Sequence, residues 1–85
     1  MNQHAKVKIA ILRSLKRMPK TYTMRDEALR AEVCLDVQPR PTLLELEDAL
    51  TDLEQSSCII GTLNELTGER KWMITDAGIL QLGQI

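Results

Sequence analysis

The residues with chemical capacity are unevenly placed along this chain of 85 residues. Glu45, Glu47, Asp48, Asp52 and Glu54 crowd the stretch 41–56, which holds no base. Lys6, Lys8, Arg13, Lys16, Arg17 and Lys20 fill the stretch 5–20, which holds no acid. Carboxylates at this density can act as general acid and base or hold a hard cation, but either role needs convergent partners. Such partners are missing from the sequence. The single histidine is His4, close to the N-terminus. No acid dyad, nucleophile–base pair or phosphate loop stands at a useful spacing. Cys34 and Cys58 form no CxxC pair, and with one histidine they make no metal-ligand set. They read as buried free thiols in a reducing compartment. What remains is recognition by charge, from a polarised chain whose net charge is only −1. The expectation is a non-enzymatic protein with no cofactor, metal or small-molecule ligand.

The elements that must carry these charges can be read from apolar spacing. Val7, Ile11, Leu15 and Met18 share one face of a helix over about residues 4–18, which Pro19 ends. Ile9 and Leu12 lie off that face. They are either the edge of a wide buried stripe or an exposed apolar strip that would form a dimer seam. A second helix is expected over about residues 24–35, with Thr23 as N-cap, Asp26 at N3, and Ala28, Leu29 and Val33 on its apolar face. Pro39 and Pro41 interrupt the chain and impose an extended turn. Thr42 and Glu45 then form an S/T-x-x-E capping box for a third helix over about 43–55. Leu43, Leu46, Ala49, Leu50 and Leu53 take its buried face. The opposite face centres on Leu44, Asp48, Thr51 and Gln55, with Glu45 and Asp52 beside it.

Beyond Ser57 the period changes. "CIIGTL" and "KWMIT" read as two strands joined by "ELTGER", in which Gly68 can take a positive φ. Trp72 and Ile74 fall on one face of the returning strand. Thr75 is placed to cap a short last helix over Ile79, Leu80 and Leu82, ended by Gly83. No linker, repeat or low-complexity stretch divides residues 1–85, so a single domain is expected. Its core must be aliphatic, because the chain has no Phe, one Trp and one Tyr. A core so small gives few kcal/mol, which makes oligomerisation, including a homodimer, a reasonable expectation. No apolar run approaches the ~18 residues of a membrane span. Charges interrupt the first apolar segment, unlike a secretory signal. A cytoplasmic location follows.

This order of elements resembles the winged helix-turn-helix fold. The stretches "ELEDALTDLEQSSCI" and "WMITDAG" are similar to those of small bacterial winged-helix transcription regulators, and the resemblance runs from about Val7 to Leu82. It implies a mainly α chain with a small β-hairpin wing (α+β): three helices, the wing and a short C-terminal helix. Two departures stand out. Ser57 occupies the place where a glycine usually ends the third helix. The third helix also lacks the basic and amide side chains that read bases, apart from Gln55.

Two functions are compatible with this reading. The resemblance implies transcription regulation with DNA as the partner, the third helix entering the major groove. Arg30, Arg40, Thr51, Gln55, Arg70 and Lys71 are then the expected contacts, since the acids of that helix would meet a polyanion. The alternative is a protein-interaction or dimerisation module on the same fold. It would use the acidic face with Leu44, Glu45, Asp48 and Asp52, together with Ile9 and Leu12 of the first helix. The discriminating quantity is whether Arg30, Arg40, Arg70 and Lys71 converge on one strip or leave the acids standing alone.

Overall fold

The computed structural model describes residues 2–19 and 22–84. Lys20, counted above among the bases of the first segment, lies outside the described residues. Four helices and a three-stranded antiparallel sheet make an α+β arrangement: α1 (Gln3–Lys16), β1 (Met24–Arg25), α2 (Asp26–Asp36), α3 (Leu43–Gln55), β2 (Ile59–Leu63), β3 (Arg70–Ile74) and α4 (Asp76–Gly83). The strand order is β1-β3-β2. Helix α1 is central, with α2, α3, α4 and β3 all packed against it.

Helix α1 starts where Asn2 Oδ1 accepts the Ala5 amide at 2.8 Å, satisfying one of the free N–H groups of the first turn. Its buried stripe is wide because it faces several elements at once: Val7, Ala10, Ile11, Leu12 and Leu15 all enter the core. Leu12 is only 4% exposed, so it cannot serve as the surface anchor that the interaction reading required. Ile9 is half-buried. The helix stops at Lys16, two residues short of the expected end at Met18. A residue before proline is pushed out of the helical region, so unwinding begins ahead of Pro19.

The start of α2 also differs from expectation. Thr23 does not cap it; Arg25 holds the N-cap position and makes no side-chain cap bond. Met24 and Arg25 are extended because they pair with Trp72 and Lys71 of β3, and Met24 is buried. A strand of two residues is too short to show a period, so only the tertiary pairing reveals it. Leu29 and Val33 bury as expected, whereas Ala28 is exposed.

The capping box of α3 is present in both directions: Glu45 N–H donates to Thr42 Oγ1 at 3.2 Å, and Thr42 N–H donates to Glu45 Oε1 at 2.9 Å. Leu46, Ala49, Leu50 and Leu53 are buried. Leu43 is not; it stands 69% exposed in the first turn, which projects beyond the core. At the other end Ser57 takes φ 62°, the left-handed conformation that favours glycine. Cys58 N–H reaches Leu53 O at 2.9 Å and Ser57 N–H reaches Glu54 O at 3.1 Å. These are the two bonds of a Schellman motif, formed around a serine.

Strands β2 and β3 pair from Ile59–Ile74 to Leu63–Arg70, and Gly68 turns the hairpin at φ 72°. Trp72 is fully buried on the core side and Ile74 packs beside it. Thr75 then locks α4 to the end of α3. Its hydroxyl donates to Ser57 O at 2.6 Å and accepts from Gly78 N–H at 3.1 Å, while its own amide bonds Cys58 O at 3.0 Å. Of the expected α4 apolar face, Leu82 packs on the core but Leu80 is exposed. Gly83 remains within the helix and Gln84 caps it.

Candidate interaction surface

A closed ring of polar contacts ties α2, α3 and the hairpin together. Arg30 Nε donates to Asp26 Oδ2 at 2.7 Å, one helical turn back on α2. Arg30 Nη2 donates to Glu47 on α3. The other oxygen of Glu47 lies 4.0 Å from Arg70 Nη2 on β3. Arg70 in turn places its guanidinium 4.8 Å from the centroid of the Trp72 ring, a cation–π distance. Trp72 closes the circuit by donating its indole N–H to Asp26 Oδ1 at 2.8 Å.

Each member is where its element puts it. Asp26 and Arg30 are four residues apart on one helix face. Arg70 and Trp72 are two apart on one sheet face. The electrostatics follow from the partners. Burial pushes the Asp26 carboxyl up, but hydrogen bonds from Trp72 and Arg30 and the charges of Arg30 and Arg70 outweigh it, leaving the group below its ordinary value. Burial likewise disfavours the charged form of Arg30, and its hydrogen bonds to Asp26 and Glu47, with their charges, reverse the sign. Arg30 is thus a held cation, its side chain only 18% exposed.

The ring contains two cations and two anions and is electrically neutral. Of the six residues expected at a DNA interface, Arg30 and Arg70 do converge, but on Glu47. Arg40, Thr51, Gln55 and Lys71 are exposed, and Arg40 and Lys71 make no ion pair with another described residue. Lys71 follows Arg70 on a strand, so the two side chains leave opposite faces of the sheet. The four bases therefore do not form one strip.

The acidic residues fare differently. Glu45 is half-buried in its capping box. Asp48 is exposed. Asp52 meets His4 Nε2 at 2.6 Å, which ties the first turn of α1 to α3 and gives His4 a structural partner. Leu44 is 70% exposed next to them. Leu43 and, at the hairpin, Leu63 and Leu66 are exposed too; Leu66 is 97% so. Leu66 is legible in the sequence as an apolar residue inside a turn segment. Glu47 is not distinguishable there from the other four acids, because its partners come from residues 17 and 23 positions away.

A second surface lies along α1. A groove of about 490 Å³ runs between α1 and the end of α2, floored by Ile9, Ala10 and Val37 and edged by Lys6, Arg13 and Arg17. It adjoins a further hollow of about 510 Å³ where Arg13, Lys16 and Arg17 meet Leu82. Asp36, at 3.7 Å from Arg17, is the acid on its rim. Cys34 is half-buried and Cys58 buried, both as free thiols. Among the described residues no group of three or more His, Cys, Asp or Glu side chains could hold a metal ion, and no helix is long and apolar enough to cross a membrane.

No family model matches this chain, and no curated protein matches it either. Its fold is similar to that of a crystal structure from Thermoplasma acidophilum named as a putative transcriptional regulator. The TM-score is 0.72 at 19% identity, covering 95% of this chain and 75% of that one. The likeness is one of fold, and it extends over nearly all of this chain.

Proposed function

We propose that this chain is a non-enzymatic, cytoplasmic regulatory module of winged-helix type. In this reading α2 and α3 are the helix-turn-helix, the β2–β3 hairpin is the wing, and the α3 face meets protein. One observation carries the choice of partner: Glu47 takes both Arg30 and Arg70, so the two guanidinium groups that contact α3 are neutralised within the fold. What α3 then offers outward is Leu44, Asp48 and Thr51, with Asp52 already paired to His4. An exposed leucine among carboxylates suits a protein surface with an apolar hollow and a basic rim. A DNA phosphate backbone requires uncommitted cations instead.

A DNA-binding role is the second reading. It is favoured by the likeness to a regulator fold and by the exposure of Arg40, Thr51, Gln55 and Lys71. Titration of a mixed-sequence duplex across a salt series separates the two. The protein-contact reading expects no salt-sensitive binding even at ~50 mM salt, where phosphate contacts are strongest. Tight binding that weakens steeply with salt and is lost in Arg40→Ala/Lys71→Ala would give the α3 face to DNA.

A further inference from the structure

We infer that the basic groove of α1 receives the acidic α3 face of a second copy, joining chains head to tail. This rests on the reading of α3 as a protein-contacting face and names its partner.

The two surfaces are complementary in charge, in apolar content and in length. Lys6, Arg13 and Arg17 are seven and four residues apart, which aligns them along one face of α1 with Ile9 and Ala10 between them. On α3, Leu44, Asp48, Thr51 and Gln55 follow at four, three and four, again one face. Lys6 to Arg17 and Leu44 to Gln55 both span eleven residues, or roughly 16 Å of helix at 1.5 Å per residue. The groove has an apolar floor for Leu44 and cationic edges for Asp48. Arg13 and Lys16 make no ion pair with another described residue, so their charge is available. Both faces belong to every copy, but they are different faces. The contact is therefore heterologous, and it extends into a chain or closes into a ring instead of stopping at a two-fold dimer.

Sedimentation of the full chain tests this through two complementary variants. Arg13→Glu/Arg17→Glu spoils the groove and keeps α3. Leu44→Ser/Asp48→Asn spoils α3 and keeps the groove. All four residues lie at the surface, and unchanged circular dichroism confirms the fold of each variant.

Wild type is expected to grow in mass with concentration at ~50 mM salt and to lose about tenfold in association constant at ~300 mM, where screening is short-ranged. Each variant alone is expected to stay monomeric. Their mixture retains one intact groove and one intact α3 face, and should give a 1:1 complex of twice the monomer mass. A monomeric wild type, or a mixture that stays monomeric, overturns the inference. So does variant self-association as strong as wild type, which would place the contact elsewhere. Binding of a duplex that is lost in Arg13→Glu/Arg17→Glu would assign the groove to phosphate and overturn it as well. These outcomes are distinct from the failure of the protein-contact reading of α3, which shows instead as duplex binding dependent on Arg40 and Lys71.

Discussion

Trp72 donates its indole N–H to Asp26 at 2.8 Å, so the largest buried side chain of the core ends on a carboxylate at the start of α2. The bond lets a tryptophan be fully buried without leaving a polar atom unpaired. It also makes Asp26 a carboxylate whose protonation should loosen the fold. The Asp26 carboxyl lies below its ordinary value, held there by Trp72, Arg30 and Arg70 against the opposing effect of burial. A depressed folded-state value contributes stability above the unfolded pKa of ~3.9 and loses it as pH falls through the folded value. Asp26→Asn is expected to cost about 1–2 kcal/mol at pH 7. The gap to wild type should narrow below pH ~4, as wild type loses its own contribution. Urea melts at both pH values measure this, and an equal gap at both would rule out the linkage.

Gly78 sits against the Cys58 carbonyl so closely that a methyl at this position would overlap the oxygen. The same turn is bound by Thr75, which bridges Ser57 and Gly78. Backbone on one side and a core-facing helix on the other leave no room to shift. Gly78→Ala should destabilise by about 3 kcal/mol, a large part of the stability of so small a domain. A melt within experimental error of wild type would mean that α4 can move away freely.

Ser57 offers a change in the opposite direction. It holds φ 62° at the end of α3, where glycine has no steric penalty. Its bonds in the Schellman motif and to Thr75 use backbone atoms only, and glycine keeps them. Ser57→Gly should therefore stabilise by about 0.5–1 kcal/mol after the extra unfolded-state entropy is offset. A lowered urea midpoint would show that the serine side chain has a role of its own.

These residues show what the sequence carried and what it did not. Helix α3 was legible to its exact ends because a capping box and leucine spacing are local signals. Gly78 and Thr75 stood out in "WMITDAG", but the reason for their spacing, contact with the end of α3, is tertiary. Strand β1 was missed because two residues hold no period, and Leu12 was left open because its burial depends on how many elements surround α1. The charge pattern was the least decisive. Whether the bases near α3 form a cationic strip is open in the sequence, because the availability of Arg30 and Arg70 is decided by Glu47, and that contact joins three separate elements.

Glu47 is accordingly the residue on which the functional choice turns. Its two oxygens face Arg30 and Arg70, and its removal would release Arg70 and leave Arg30 held by Asp26 alone. Glu47→Gln keeps the shape and deletes the charge. The loss of ion pairing should cost about 1 kcal/mol, modest because Glu47 and Arg70 are each partly exposed. The gain should appear in nucleic-acid binding: affinity for a mixed-sequence duplex at ~50 mM salt should rise several-fold over wild type, with a steeper dependence on salt. Fluorescence anisotropy across a salt series reads both quantities. An unchanged affinity would show that Arg70 does not reach phosphate even when released, and that pairing with Glu47 is not what limits this surface.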